Sequence, residues 1–245
     1  VDNGTIKAGG WFRKRARCRD GVSRGVCEAG CNLGDRRGVS QVIYELRTYT
    51  VKVGTLPQVI KLFEERLEHR ENYSPLAGCW YTDVGPLNQF VHLWGYESIQ
   101  QRAEVRDAFS ADPNWPPPIM DHLVDMRSEV IVPFPSVAGV APGTFGPVYE
   151  LRSYRLAPGA GSQLQEIWAP MLEARSRLSK PLLIGTTEFG VLNTLIHIWP
   201  YRSLAERAEV RAKAVETAVW PPPTAHLIQE MRNVIMLPTG FSPLQ

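Results

Sequence analysis

The chain has 245 residues, 44% of them hydrophobic and 21% charged, with 27 Lys and Arg against 25 Asp and Glu. Those proportions are ordinary for globular proteins. They exclude a collagen-like, fibrous or wholly disordered chain, and no apolar run approaches the roughly 18 residues of a membrane-spanning helix.

The net charge of +2 is unevenly placed: residues 1–42 carry nine basic against four acidic side chains, and residues 43–245 carry eighteen against twenty-one. The body is mildly acidic and gives no bulk sign of nucleic-acid binding. Residues 1–42 lack helical or strand periodicity, are rich in Gly and Arg, and hold Cys18, Cys27 and Cys31. They read as a disordered basic extension. A secretory signal needs an apolar core of about 7–15 residues, and none is visible. Trp11 to Arg17 would suit a mitochondrial transit peptide, but Asp2, Asp20, Glu28 and Asp35 do not. The three cysteines lack a fourth ligand and the Cys-x-x-Cys spacing of a zinc site, and the total is too small for a disulfide framework. The expected setting is soluble and intracellular, in the cytoplasm, with the mitochondrion as the alternative.

An internal repeat organises the rest. Tyr44-Glu45-Leu46-Arg47-Thr48-Tyr49 returns as Tyr149-Glu150-Leu151-Arg152-Ser153-Tyr154, 105 positions later. At the same interval Leu87–Trp94 returns as Leu192–Trp199, Arg102–Arg106 as Arg207–Arg211, and Trp115–Pro118 as Trp220–Pro223. Between 87 and 118 the copies share 15 of 32 residues without a gap. Two domains follow, 43–134 and 148–245, joined by a Pro/Gly/Ala linker over 135–147 that reads as having nothing to bury.

Each copy reads as strand, helix, strand, strand, helix, strand. In the first, the β-branched and aromatic stretch 43–53 is a strand. A helix opens near Thr55 and carries Leu56, Val59, Ile60, Phe63 and Leu67 on one face. The next two strands form a hairpin about Gly85-Pro86-Leu87-Asn88, mirrored at Gly190-Val191-Leu192-Asn193, where Gly and Asn tolerate positive φ. The second helix starts with a capping box, Ser98 with Gln101 and Ser203 with Glu206. The last strands are 127–132 and 233–237. Pro170, inside the first helix of copy two, should kink or shorten it. The WPPP segments read as rigid elbows.

A βαββαβ unit is ferredoxin-like and covers only one sheet face with helices. The fold class is therefore α+β, with two tandem ferredoxin-like repeats packed sheet to sheet as an intrachain α+β barrel, the helices outside. Strand alternation then sorts the side chains. If the helix-covered face is aliphatic, Leu46, Val91 and Leu93 meet the helices. Glu45, Arg47, Tyr49, His92 and Trp94 then face the space between the sheets, with Glu150, Arg152, Tyr154, His197 and Trp199 as the matching set. Such a cavity offers His92 or His197 as a base, flat walls at Trp94 and Trp199, and Arg47 or Arg152 for an anionic group. The competing reading pairs Glu45 with Arg47 and Glu150 with Arg152 as buried ion pairs, and has each His donate to a buried carbonyl. Arg102 and Arg106, with Arg207 and Arg211, lie four apart and read as a solvated helix face. Cys79 reads as core. No phosphate-cradling loop, nucleophile elbow or metal-spaced cluster occurs.

At Tyr-Glu-Leu-Arg-x-Tyr (44–49, 149–154), Gly-x-Leu-Asn (85–88, 190–193), His-x-Trp (92–94, 197–199) and Arg-x-Glu-Val-Arg (102–106), the chain resembles the NIPSNAP family. The ending Leu237 to Gln245 is similar to the tail of its two-domain members, while the WPPP segments depart from relatives that look helical there. The resemblance implies the dimeric α+β barrel superfamily in tandem form. That superfamily includes cofactor-independent monooxygenases and haem-binding or haem-degrading proteins, while animal NIPSNAP proteins are mitochondrial interaction partners in vesicular traffic and mitophagy. It supplies no agreed catalytic residues. The expectation is a non-catalytic ligand-binding or protein-interaction barrel of undefined activity, without a cofactor or metal. Its partners would be a small apolar or planar ligand, or other proteins, but no nucleic acid. It would be a pseudo-dimeric monomer or a higher homo-oligomer. The alternatives are a monooxygenase-like or proton-transfer enzyme acting on a small planar substrate, and a haem-binding protein.

Overall fold

The computed structural model describes residues 42–245. The basic extension, with the transit-peptide and zinc readings made on it, lies outside the described residues. The first repeat forms β1 (Ile43–Val51), α1 (Leu56–Glu71), β2 (Leu76–Val84), β3 (Gln89–Tyr96), α2 (Ile99–Ser110) and β4 (Leu123–Pro133). The second forms β5 (Val148–Leu156), α3 (Gly161–Leu178), β6 (Leu183–Phe189), β7 (Thr194–Tyr201), α4 (Leu204–Glu216) and β8 (Ile228–Pro238).

Local chemistry explains most boundaries. Ser98 Oγ accepts the Gln101 N–H and Ser203 Oγ accepts the Glu206 N–H, each at 3.0 Å, so both second helices open on a side-chain cap. Thr55 begins α1 differently, its hydroxyl donating back to the Lys52 carbonyl at 2.8 Å. Both hairpins place Gly and Asn at positive φ, 116° and 56° in the first and 102° and 52° in the second. Helix α3 runs through Pro170 without shortening. The final strands are longer than periodicity suggested, eleven residues each.

The eight strands close into a barrel in the order β1-β3-β2-β8-β5-β7-β6-β4. The order repeats after four strands, so a half-turn about the barrel axis carries each strand of one half onto its counterpart. The seams between halves are β2–β8, with Trp80 opposite Pro238, and β4–β6, with Pro133 opposite Gly185. Among the described residues no strand edge of the barrel remains open to pair with another chain.

The barrel interior corrects the facing inferred from alternation. Tyr44, Leu46, Trp80, Val91, Leu93, Ile131, Tyr149, Ile196, Ile198 and Met236 form one buried cluster inside the barrel. The polar and aromatic set instead lies outside it, under the helices, where Tyr49, Phe90, Trp94 and Tyr96 pack with Val59, Phe63 and Leu67 of α1. An eight-stranded barrel is just wide enough for side chains to fill it or for one small ligand. Away from the hairpin end its inward positions are aliphatic or aromatic and dry, whereas Glu45 and Glu150 find their guanidinium partners under the helices.

The linker is not idle: no residue of 135–147 is fully buried, but Val137 and Val140 pack from partly buried positions against the second-half helix-side core and the barrel interior. The Val140 N–H donates to the Tyr44 hydroxyl at 2.7 Å, at the barrel end opposite the hairpins. The C-terminal segment joins it there. Gly143 and Leu244 form a parallel bridge, and Leu244 is fully buried in the barrel cluster. Cys79 is a free, buried core thiol, pushed upward in pKa by that burial.

Gly185 marks the tightest point of the β4–β6 seam. A Cβ there would stand 2.4 Å from the Val132 carbonyl oxygen and 2.8 Å from the Pro133 Cα, both backbone atoms that cannot rotate away. Gly185→Ala is expected to cost about 1–3 kcal/mol in urea unfolding; an unchanged midpoint would show that the seam gives way freely.

Candidate functional site

The outward faces of β1 and β3 carry the motif residues to a space enclosed by α1, α2 and the Trp115-Pro116-Pro117 segment. Period-two alternation aims Glu45, Arg47, Tyr49, His92 and Trp94 to the same side, and the antiparallel register sets Glu45 opposite Trp94 and Arg47 opposite His92. The structure therefore gathers every residue of the first expected set, under the helices rather than between the sheets.

Glu45 is the hub. Its Oε1 accepts from Arg47 at 2.8 Å, Arg102 at 2.7 Å and the Ser128 hydroxyl at 2.6 Å, with Arg106 at 3.7 Å. Its Oε2 accepts from the Tyr96 hydroxyl at 3.3 Å. Burial alone would raise this carboxyl, but hydrogen bonds from Arg102 and Ser128, with the charges of Arg47 and Arg102, hold its pKa at about 2. Arg102 and Arg106 are thus not a merely solvated face: they reach inward from α2 and clamp a buried carboxylate. Arg70, from the last turn of α1, donates to the Tyr96 hydroxyl at 2.9 Å and lies 4.2 Å from the Trp94 ring centroid. Four guanidiniums surround one carboxylate, leaving the site cationic.

His92 is held by the indole of Trp94, whose Nε1–H donates to His92 Nδ1 at 2.6 Å. An indole nitrogen only donates, so Nδ1 carries no proton. Burial, and then the neighbouring Arg47 charge, keep the imidazole pKa well below its usual value. The ring is therefore neutral with its proton on Nε2, an atom buried without a hydrogen-bond partner. Rings of Tyr49, Phe63 and Phe90 surround it at 4.8, 5.1 and 5.4 Å. In this arrangement His92 offers a donor, not a base, and the carbonyl partner expected for it is replaced by an indole. Nor do these residues fit a haem iron as they stand, since one imidazole lone pair is taken and the other nitrogen is protonated and sealed among rings.

The second half repeats the network. Glu150 accepts from Arg152 at 2.7 Å and Arg207 at 2.6 Å, and Trp199 Nε1–H donates to His197 Nδ1 at 2.6 Å. Arg152 also donates to the Tyr154 hydroxyl at 2.6 Å, as Arg47 does to Tyr49 at 2.8 Å. Among the exchanges between the halves, one changes the space most directly. Phe63 of the first corresponds to Trp168 of the second, whose larger ring lies 4.6 Å from Trp220 and donates to the Thr224 hydroxyl at 3.0 Å. In the first half a cavity of about 310 Å³ remains, walled by Phe63, Trp94, Phe109 and Trp115, with Arg47, Arg70 and Arg106 at its polar end.

Sequence reading missed Arg70, Tyr96 and Ser128 as members of the network. The first two recur at the 105-residue interval as Arg175 and Tyr201, a signal that was present but carried no motif. Ser128 has Asn233 as its counterpart at the same interval, a different donor in the same place, and only the fold reveals that both donate to the glutamate. Among the described residues no group of three His, Cys, Asp or Glu is placed to hold a metal ion, and no helix is long and apolar enough to cross a membrane.

The comparisons agree with this architecture. A Fusobacterium nucleatum crystal structure superposes with a TM-score of 0.61 at 12% identity, covering 82% of this chain and 94% of that one, a likeness of fold alone. Protein NipSnap of Drosophila melanogaster is 30% identical over 220 residues, 84% of this chain and 80% of its own length. Human protein NipSnap homolog 2 is 30% identical over 236 residues, 89% of this chain and 80% of its own length. The NIPSNAP family model matches twice, at residues 44–137 and 149–243, on the two halves of the barrel. With its tandem βαββαβ repeats and duplicated glutamate–arginine hubs, the chain belongs to the NIPSNAP family.

Proposed function

We propose that the chain is a ligand-binding barrel whose first-half pocket holds a small planar apolar molecule bearing an anionic group. The observation that supports this most is the composition of the roughly 310 Å³ cavity, with aromatic walls at one end and an arginine excess around a single carboxylate at the other. Aromatic faces take flat apolar surface, and guanidiniums take a carboxylate or sulfonate in bidentate fashion. The reading is non-catalytic because His92 has its lone pair engaged by Trp94 and Glu45 is clamped in its ionised form.

Phe63 and Trp168 provide the test. Naphthoate, a planar aromatic carboxylate, is expected to bind the full chain at one site in calorimetry, with naphthol at least about tenfold weaker. Phe63→Trp copies the second half into the first and is expected to weaken naphthoate by about tenfold or more, because the indole fills the space. Trp168→Phe leaves the first site untouched and serves as a folding control. Equal affinity in wild type and Phe63→Trp, or no saturable binding, would overturn the pocket reading and favour an outer-surface protein interaction.

A further inference from the structure

We propose that the open end of the barrel is a second ligand site, built jointly by both halves, for a small aliphatic monocarboxylate. Its basis is separate from the aromatic pocket, which lies on the other side of the sheet. At the end where both hairpins turn, the lumen is not filled: a cavity of about 350 Å³ opens there, lined by residues of both repeats. The lining follows the half-turn symmetry, with Leu46 matched by Leu151, Thr48 by Ser153 and Val91 by Ile196.

The chemistry of the lining selects the ligand. The floor is branched aliphatic, with Leu46, Leu151, Val91, Ile196 and Val234 and no aromatic face among the lining residues, which suits a flexible hydrocarbon chain rather than a flat ring. Above the floor stand Thr48, Ser153 and Gln89. Gln89 is only 7% exposed, and its side-chain amide makes no hydrogen bond to any described residue, although its own N–H is taken by the Thr82 hydroxyl. That amide opens on the cavity, where it can donate to and accept from a ligand. The rim is charged. Arg127, Arg155 and Arg232 stand beside Glu129 and Glu230 in the lining. Glu230 is already engaged by Arg155 at 3.5 Å and Arg232 at 2.5 Å, while Arg127 reaches only an exposed Asp125 at 3.8 Å. A single carboxylate would accept from the loosely engaged Arg127 and from the Gln89 amide, and leave its chain on the aliphatic floor. The closed opposite end, stoppered by the linker and Leu244, limits the chain to a short or medium length.

Octanoate is the probe, with octanol and octylammonium as neutral and cationic counterparts, all titrated into the full chain by calorimetry and methyl NMR. Octanoate is expected to saturate at one site, shift the methyls of Leu46, Val91, Leu151, Ile196 and Val234, and bind at least about tenfold more tightly than octanol. Arg127→Gln combined with Arg232→Gln changes only exposed rim groups and is expected to weaken octanoate about tenfold or more. Gln89→Leu is expected to weaken it less and to spare naphthoate entirely. Binding unaltered by the rim substitutions overturns the proposal, as does octanoate that is lost in Phe63→Trp without shifting the lumen methyls. So does the absence of saturable octanoate binding.

Discussion

Glu45→Ala is expected to destabilise the folded chain by about 3–5 kcal/mol, the range for breaking a buried ion pair by removing one partner. Arg47, Arg102 and Arg106 all converge on this one carboxylate, which is 1% exposed, and the substitution leaves three guanidiniums facing one another with the Ser128 hydroxyl unpaired. At roughly 2–4 °C per kcal/mol for a chain of this size, the melting temperature should fall by about 10 °C. The same carboxylate sets the acid limb of stability. It titrates at 4.5 in the unfolded chain and at about 2 in the folded one, a difference worth about 3 kcal/mol. A depressed folded pKa stabilises above the unfolded value and loses that contribution as pH falls from about 4.5 through about 2. Glu45→Gln should therefore lower stability at neutral pH and flatten its decline across that window. Glu150 is held low in the same manner, against its own burial, by Arg207, Arg152 and Arg211, so a second substitution there should flatten the limb further. Urea unfolding between pH 2 and 7 measures both effects. A neutral-pH loss below about 1 kcal/mol, or an acid limb unchanged in Glu45→Gln, would show that the arginines are satisfied by water instead.

Ending the chain at Pro238 is expected to cost at least about 5 kcal/mol and to leave the barrel marginally folded. The removed residues look like a tail in sequence, yet they reach both sides of β2. Leu244 is fully buried inside the barrel against the Trp80 layer, and Phe241 stacks 6.1 Å from Phe63 on the helix side. The Ser242 hydroxyl accepts the Cys79 N–H at 3.0 Å, and the Gln245 carbonyl accepts the N–H groups of Phe145 and Gly146, tying the tail to the linker. Losing a buried Leu alone typically costs about 2–5 kcal/mol. Leu244→Ala separates that part from the hydrogen bonds and should recover roughly half the truncation's effect. Urea midpoints and near-ultraviolet dichroism report the outcome; a truncated chain within about 1 kcal/mol of wild type would mean that the segment merely lies on the surface.

The glutamate–arginine pair on β1 was readable from two residues two apart on one strand, because that spacing puts them side by side on one face. The arginines of α2 were readable only as a pair four apart on a helix; whether they faced water or the carboxylate depended on how that helix packs on the sheet. Nothing in the composition of residues 239–245 announced a stopper, because a short polar and apolar mixture becomes core only when a barrel end is there to receive it.

Several features follow from sequence alone because they are local or periodic. The 105-residue repeat, the capping serines, the positive-φ turns at Gly and Asn, and the strand–helix–strand order need only neighbouring residues to be specified. The residues of the candidate site came out together for the same reason, since alternation places them on one side of β1 and β3. Alternation distinguishes two faces but does not say which is inside. That was decided by tertiary structure: closing eight strands shuts the middle of the lumen away from water, so the mainly aliphatic face turned inward, with its charged residues kept to the hairpin end, and Glu45, Arg47, His92 and Trp94 turned toward the helices that carry their partners.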